Sequence, residues 1–206
     1  MLNPKWLQWA QHIQAIAQSG LTYATSPFDR QRYQELNQVA AEIIAHHTQV
    51  DPAVIQNLID AQEGYATPKV DVRGAVFKNN QVLLVREAID NCWTLPGGWA
   101  DINESPSHAT EREVWEESGY LVQATKLAAV YDRSLHGHPP YLFHSYKLFF
   151  LCDLLGGEPT NSVETTAVGF FAEQELPSLS LPRTTPEEIA RLFEHHRHLD
   201  WPTDFD

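Results

Sequence analysis

Four of the five glutamates in residues 98–120, GWADINESPSHATEREVWEESGY, stand with an arginine at spacings that could do chemistry: Glu104, Arg112, Glu113, Glu116 and Glu117. Glu113, Glu116 and Glu117 stand at i, i+3 and i+4. On a helix, at about 100° per residue, they fall within one arc roughly 100° wide. Like charges at that spacing repel and destabilise a bare helix. A cation relieves the conflict. Oxygen-only ligands with room for water and phosphate oxygens suit Mg²⁺, with Mn²⁺ next. Arg112 sits one step round the helix, placed to pair with Glu104 or with a ligand carboxylate. Taken alone, EREVWEE also reads as a solvated acidic face.

The flanks supply the helix. Ser105-Pro106 offers an N-cap followed by proline at the first helical position. Gly119 stands where a glycine closes a helix. In full, the spacing is Gly98, five residues, Glu104, seven residues, Arg112-Glu113, Val114, one residue, Glu116-Glu117, one residue, Gly119. This resembles the Nudix box, the signature of the Nudix hydrolases. Seven identities at fixed spacing arise by chance on the order of once in 10⁹ starting points. The last position departs from the pattern: the family usually has an aliphatic residue and this chain has Tyr120, whose ring can still be buried.

The resemblance implies an α/β fold, the Nudix α/β/α sandwich over a mixed sheet, across roughly residues 69–200. It also implies Mg²⁺-dependent hydrolysis of a nucleoside diphosphate linked to another moiety. At matched positions the Gly98 carbonyl, Glu113, Glu116 and Glu117 become metal ligands. Glu116 doubles as a water-activating group, Arg112 orients the acids, and Glu104 supports Arg112. A glutamate from a later loop supplies the base in several such enzymes, which makes Glu164 the candidate here; its rival reading is a surface acid.

Two substrate indicators are missing. His136 stands where ADP-ribose pyrophosphatases often have proline, and no tyrosine falls there as in diadenosine polyphosphate hydrolases. Over nearly the whole chain, the helical leader with TPKVDVRGAVF, LPGGWAD, HGHPPY and VGFFAE is similar to Nudix hydrolases typified by CDP-choline pyrophosphatase. That likeness implies cleavage of CDP-choline to CMP and phosphocholine. ADP-ribose, giving AMP and ribose 5-phosphate, is the alternative, and a non-catalytic nucleotide sensor a further one. RNA processing ranks lower, because the leader lacks interleaved basic and aromatic residues. Arg73, His136, His138, Tyr141 and His144 are the candidate substrate-binding residues: histidine can contact phosphate, and aromatics can stack a base or face a choline cation. A zinc site at His136-Gly137-His138 lacks cysteines or a fixed partner.

The elements that must position this chemistry follow from periodicity. Residues 1–67 form a helical domain of about three helices. Trp6, Trp9, Ala10, Ile13, Ile16 and Ala17 make one stripe, closed by Gly20. Ser26-Pro27 opens a second helix with Phe28, Leu36, Val39, Ala40, Ile43 and Ile44 inward. Asp51-Pro52 opens a third with Val54, Ile55, Leu58 and Ile59 inward, stopped by Gly64. His46 and His47 read as surface. From residue 68 to 206 the texture is that of the second domain: an alternating strand over 70–77, another over 81–86, and a short one at 93–95. Beyond the central helix lie long strands over 121–132 and 141–151, a turn at Gly156-Gly157, a strand over 168–171 and a closing helix over 186–196. The acidic tail, 200–206, has no assigned role.

With 206 residues the chain can bury one sizeable core plus a small helical domain. A net charge of −13 argues against passive binding to nucleic acid or anionic membrane, which needs basic patches. It leaves a metal-neutralised nucleotide open. Two cysteines, Cys92 and Cys152, make no disulfide framework. With no signal peptide and no long apolar run, the expected address is the cytoplasm. A homodimer through the N-terminal helices is expected from the resemblance.

Overall fold

The computed structural model describes residues 3–206; the first two positions of the expected helical domain lie outside the described residues. Those described fold as two compact units, 3–68 with 140–144, and 69–139 with 145–206.

In the helical unit, α1 is Lys5–Tyr23, α2 Pro27–Thr48 and α3 Pro52–Asp60. Proline opens α2 and α3 at the first helical turn, and the Asp51 carboxylate accepts a hydrogen bond from the Ala53 N–H at 2.8 Å. Leu7, Ala10, Ala40, Ala41, Ile44, Ala45, Ile55 and Ile59 form the core, with Trp6, Ile13 and Ile43 packed against it. The expected stripes are too wide. Trp9, Ile16, Phe28, Leu36, Val39, Val54 and Leu58 are exposed. Gly20 does not end α1; it lies inside the helix, and a Cβ there would come within 2.4 Å of the Tyr33 ring. Its job is close approach of α1 to α2. Likewise Gly64 lies four residues beyond the end of α3.

The second unit runs β1 Lys69–Lys78, β2 Gln81–Glu87, β3 Trp93–Thr94, α4 Pro106–Ser118, β4 Tyr120–Asp132, β5 Ser145–Gly157, β6 Thr165–Phe171, α5 Pro186–Arg197 and β7 Asp204–Phe205. Among the described residues these strands make one seven-stranded mixed sheet, ordered β3-β2-β1-β5-β4-β7, with β6 also paired to β2. β1 runs parallel to β5 and antiparallel to β2. Six consecutive β1 residues, 71–76, are buried, because a helix covers each face of the sheet. Val76, Phe150 and Cys152 pack with Val114 of α4 on one face. Ala75, Phe149 and Leu151, one residue out of phase, pack with Ile189, Leu192 and Phe193 of α5 on the other. The result is an α/β/α sandwich preceded by helices. Tyr120 packs its ring on the α4-side cluster, edge-on to Phe170.

Two boundaries differ from the expectation. β5 begins at Ser145 rather than 141, because 140–144 belong to the helical unit: Gln11 donates to the Tyr141 and Leu142 carbonyls and Leu142 packs on the helical core. β5 then runs through Gly156-Gly157, which end a strand instead of forming a free turn. The tail docks on its own unit, with β7 parallel to β4. Arg191, His195 and Tyr131 gather round the Asp204 carboxylate. Among the described residues no helix is long and apolar enough to cross a membrane.

Candidate active site

Two pieces of chain meet here, the start of the Pro96-Gly97-Gly98 loop and the inner face of α4. β1 holds the loop in extended pairing: Gly74 N donates to Pro96 O at 2.9 Å, Val72 N to Gly98 O at 2.8 Å, and Ala100 N to Val70 O at 3.0 Å. Gly97 has φ +145°, and a Cβ there would lie 2.0 Å from the Val72 carbonyl, so only glycine fits. From α4, the Glu117 carboxylate accepts the Gly97 N–H at 2.9 Å. A Cβ on Gly98 would sit 3.0–3.1 Å from the Glu113 carboxylate, which is packed directly against that glycine.

α4 keeps its phase through its ends. The Ser105 hydroxyl caps its N-terminus, accepting from His108 N. Gly119 at φ +77° turns the chain out of its C-terminus. The last turn is pinned again where Thr165 Oγ1 donates to Glu117 O at 2.8 Å.

Arg112 organises the outer acids. Its Nε donates to Glu104 at 3.0 Å, and its Nη1 donates to both Glu113 Oε1 at 2.9 Å and Glu116 Oε2 at 3.0 Å. The Glu104 carboxyl is held below its ordinary value by those hydrogen bonds. Burial pushes Glu113 up, against the pull of Arg112. Burial pushes Glu117 further, to about 8, with the Arg73 charge opposing and the Glu113 and Glu87 charges adding.

Glu87 was not singled out from the sequence. It ends β2 at a register shift opposite Thr165, is 5 % exposed, and pairs with Arg183 at 2.9 Å. Burial raises its carboxyl as well, and its charge adds to the upward push on Glu117. The signal available was a carboxylate closing a run of buried apolar residues.

Oxygen donors at this site suit a divalent cation. Glu117 is a buried carboxylate that accepts a hydrogen bond from the loop backbone, and the Glu113 carboxylate lies against the Gly98 backbone. Among the described residues, however, no three acidic, histidine or cysteine groups already close round one point. Glu113 and Glu116 turn onto Arg112, and Glu117 turns onto Gly97. Glu113, Glu116, Glu117 and the Gly98 carbonyl are the groups able to hold the ion; that carbonyl keeps one lone pair beyond its bond to Val72.

The remaining candidates scatter. Glu164 is exposed in the loop before β6, its backbone fixed by Ser162 Oγ and by Ala88 N. Arg73 does not offer its guanidinium to a substrate. It is 5 % exposed, bound to Asp71 at 2.8 Å and donating to Leu95 O at 3.1 Å, behind the loop. Burial works against its charge and Asp71 restores it. His138 is also sealed in: its ring nitrogens lie 2.7 Å from Leu181 O and 2.8 Å from Glu188 Oε1, beside the buried Lys147. His136 stacks on Tyr131 at 3.8 Å and meets Asp206 at 2.8 Å. Tyr141 and His144 belong to the helical unit, where Tyr141 lies edge-on to Phe143. Polar residues in a strand or a turn look alike in sequence whether they face a ligand or a buried partner.

Comparison with known proteins gives a consistent picture. Residues 67–195 match the NUDIX domain family, and residues 4–59 match a family described as a UDP-X-like, N-terminal oligomerisation domain. YjhB of Bacillus subtilis (strain 168), provisionally named an ADP-ribose pyrophosphatase, is 46 % identical over 205 residues, covering 100 % of this chain and 99 % of that protein. A crystal structure titled as an ADP-ribose pyrophosphatase from Streptococcus suis 89-1591 is 42 % identical, covers 68 % of this chain and 100 % of its own, and has a TM-score of 0.62. A crystal structure of a UDP-X diphosphatase is 29 % identical, covers 100 % of both chains, and has a TM-score of 0.64.

Proposed function

The chain belongs to the Nudix family, and on that premise we propose that it cleaves ADP-ribose with Mg²⁺, giving AMP and ribose 5-phosphate. The broader activity, hydrolysis of phosphoric anhydrides in nucleoside diphosphate derivatives, comes with the family. ADP-ribose is favoured by one observation, the 46 % identity to YjhB over the whole chain. The expected CDP-choline specificity finds no support in these relatives and gives way to that alternative.

Nudix hydrolases use divalent metal ions. Bound here, Mg²⁺ would neutralise diphosphate charge and lower the pKa of a coordinated water. Glu113, Glu117, Glu116 and the Gly98 carbonyl are the groups that would hold it. Arg112, anchored by Glu104, fixes Glu113 and Glu116 relative to each other through one nitrogen. A water oxygen bonds to phosphorus as the P–O bond of the anhydride breaks; Glu116 or Glu164 takes the water proton, and the leaving phosphate carries off the electron pair. Arg73 and Asp71 act from behind, keeping the glycine loop on β1.

The helical unit forms a homodimer in this reading. The family description of residues 4–59 as an oligomerisation domain supports it, as do the large apolar side chains exposed on all three helices.

A substrate panel tests the specificity: ADP-ribose, CDP-choline and a UDP-sugar, each with Mg²⁺ or Mn²⁺, with released AMP, CMP and UMP quantified. ADP-ribose should give the highest kcat/KM. Faster CMP release from CDP-choline would overturn the choice.

A further inference from the structure

We propose that Arg183 is a substrate-binding residue whose guanidinium takes a phosphate oxygen of the diphosphate. This rests on the reading of the chain as a hydrolase of nucleoside diphosphate derivatives, and it names a cation for the anionic part of the substrate.

The elements that carry the site also place Arg183. Its Nε lies 2.9 Å from Glu87 Oε1, at the end of β2. Glu87 stands opposite Thr165 of β6, whose hydroxyl donates to the Glu117 carbonyl at 2.8 Å. The next residue, Ala88, donates its N–H to the Glu164 carbonyl at 2.8 Å. Beyond Arg183, Thr184 Oγ1 meets Thr94 Oγ1 at 2.8 Å and accepts the Leu95 N–H at 3.3 Å, directly before Pro96-Gly97-Gly98. The buried Lys147 ammonium donates to the Arg183 carbonyl. Backbone and side chain are both anchored, as a preorganised contact requires.

The guanidinium nevertheless reaches solvent. The Arg183 side chain is 28 % exposed, against 7 % for that of Glu87. Nη1 contacts Asp90 at 3.4 Å and Ser180 Oγ at 3.0 Å. With Nε on Glu87, the two N–H groups of Nη2 have no protein partner among the described residues. Phosphate oxygens fit such an edge in charge and in geometry. Acids dominate the surroundings, so an incoming diphosphate needs positive charge to meet it. Arg73 is sealed behind the glycine loop, and Arg112 is divided among Glu104, Glu113 and Glu116. Arg183 is held by acids too, but stays open on one edge.

ADP-ribose, CDP-choline and UDP-sugars all carry a diphosphate, so the kinetic test uses whichever the wild type cleaves fastest, at saturating Mg²⁺. Arg183→Met should raise KM about ten-fold or more. Calorimetry should show a matching loss of affinity for the α,β-methylene analogues of ADP-ribose and CDP-choline, whose bridges cannot be hydrolysed. Arg183→Lys keeps the charge but loses the planar fork, and should fall between. Removing Arg183 also leaves the Glu87 carboxylate buried without its partner, so Arg183→Met combined with Glu87→Gln separates the two roles. A KM and affinity defect that persists in the double variant supports the contact. Recovery of wild-type KM and affinity there would show that Arg183 only neutralises Glu87, and would overturn the proposal, as would an unchanged KM in Arg183→Met. A wild type that binds an analogue yet cleaves no substrate would overturn the hydrolase reading alone, since calorimetry still decides Arg183.

Discussion

The Glu117 carboxylate accepts the backbone N–H of Gly97 at 2.9 Å, joining the last full turn of α4 to the glycine loop held on β1. One buried acid therefore fixes the spacing between the two halves of the site, and its own burial drives it up to about 8. Positive charge brought to this point restores the carboxylate.

Glu117→Gln separates these two roles. Glutamine retains an oxygen to accept from Gly97 but cannot carry charge to a metal. Turnover should fall roughly 10²-fold or more, while the thermal midpoint stays the same or rises, because a buried carboxylate is penalised and an amide far less. Steady-state kinetics and thermal melts on one preparation read both. Wild-type turnover would remove Glu117 from the proposed ligand set.

Arg112→Lys tests the bridge. A guanidinium reaches Glu104 and, through a second edge, Glu113 and Glu116; an ammonium cannot span all three. The variant should lose about ten-fold or more in kcat and need more Mg²⁺ for half-maximal rate. An unchanged Mg²⁺ dependence with unchanged kcat would refute the orienting role.

The adjacent glycines should behave differently. At Gly97 a Cβ meets the Val72 carbonyl at 2.0 Å and φ is +145°, so Gly97→Ala should destabilise the fold by about 2 kcal/mol or more. At Gly98 the contact is the Glu113 carboxylate at 3.0–3.1 Å, the end of a flexible side chain. Gly98→Ala should therefore spare stability and lower activity by moving Glu113. Urea titrations beside kinetics discriminate the two; equal destabilisation would contradict the contrast.

The box was legible because its chemistry is local. Caps at Ser105 and Gly119 and acids three and four residues apart fix one helix face without knowledge of what packs on it. The α/β order was legible from the change in period after residue 68. Tertiary partners hid the rest. Arg73 and His138 have side chains fit for phosphate, yet Asp71 on the same strand and Glu188 on α5 claim them. Trp9, Ile16 and Val39 sit in apolar stripes as good as the buried ones, and periodicity cannot say which side of a wide stripe faces inward. Residues 140–144 look like the start of β5 because hydropathy does not report that Gln11 and the helical core take them.

The tail supplies a pH dependence whose sign is fixed. Arg191, through its hydrogen bonds, holds the Asp204 carboxyl well below the usual carboxylate range, with His195 assisting at 3.1 Å and Tyr131 donating at 3.2 Å. A carboxyl depressed in the folded state stabilises fully above its unfolded value, near 4, and that contribution drains away as pH falls toward the folded value. Asp204→Asn should therefore lower the thermal midpoint by about 2–6 °C at pH 7, and the gap to wild type should narrow steadily below about pH 4. Because β7 and the Asp206 contact to His136 lie on the same tail, the variant should also speed proteolytic removal of the last residues. Thermal melts from pH 7 to pH 3 measure the gap; one that widened in acid would show that Asp204 is not held as a carboxylate.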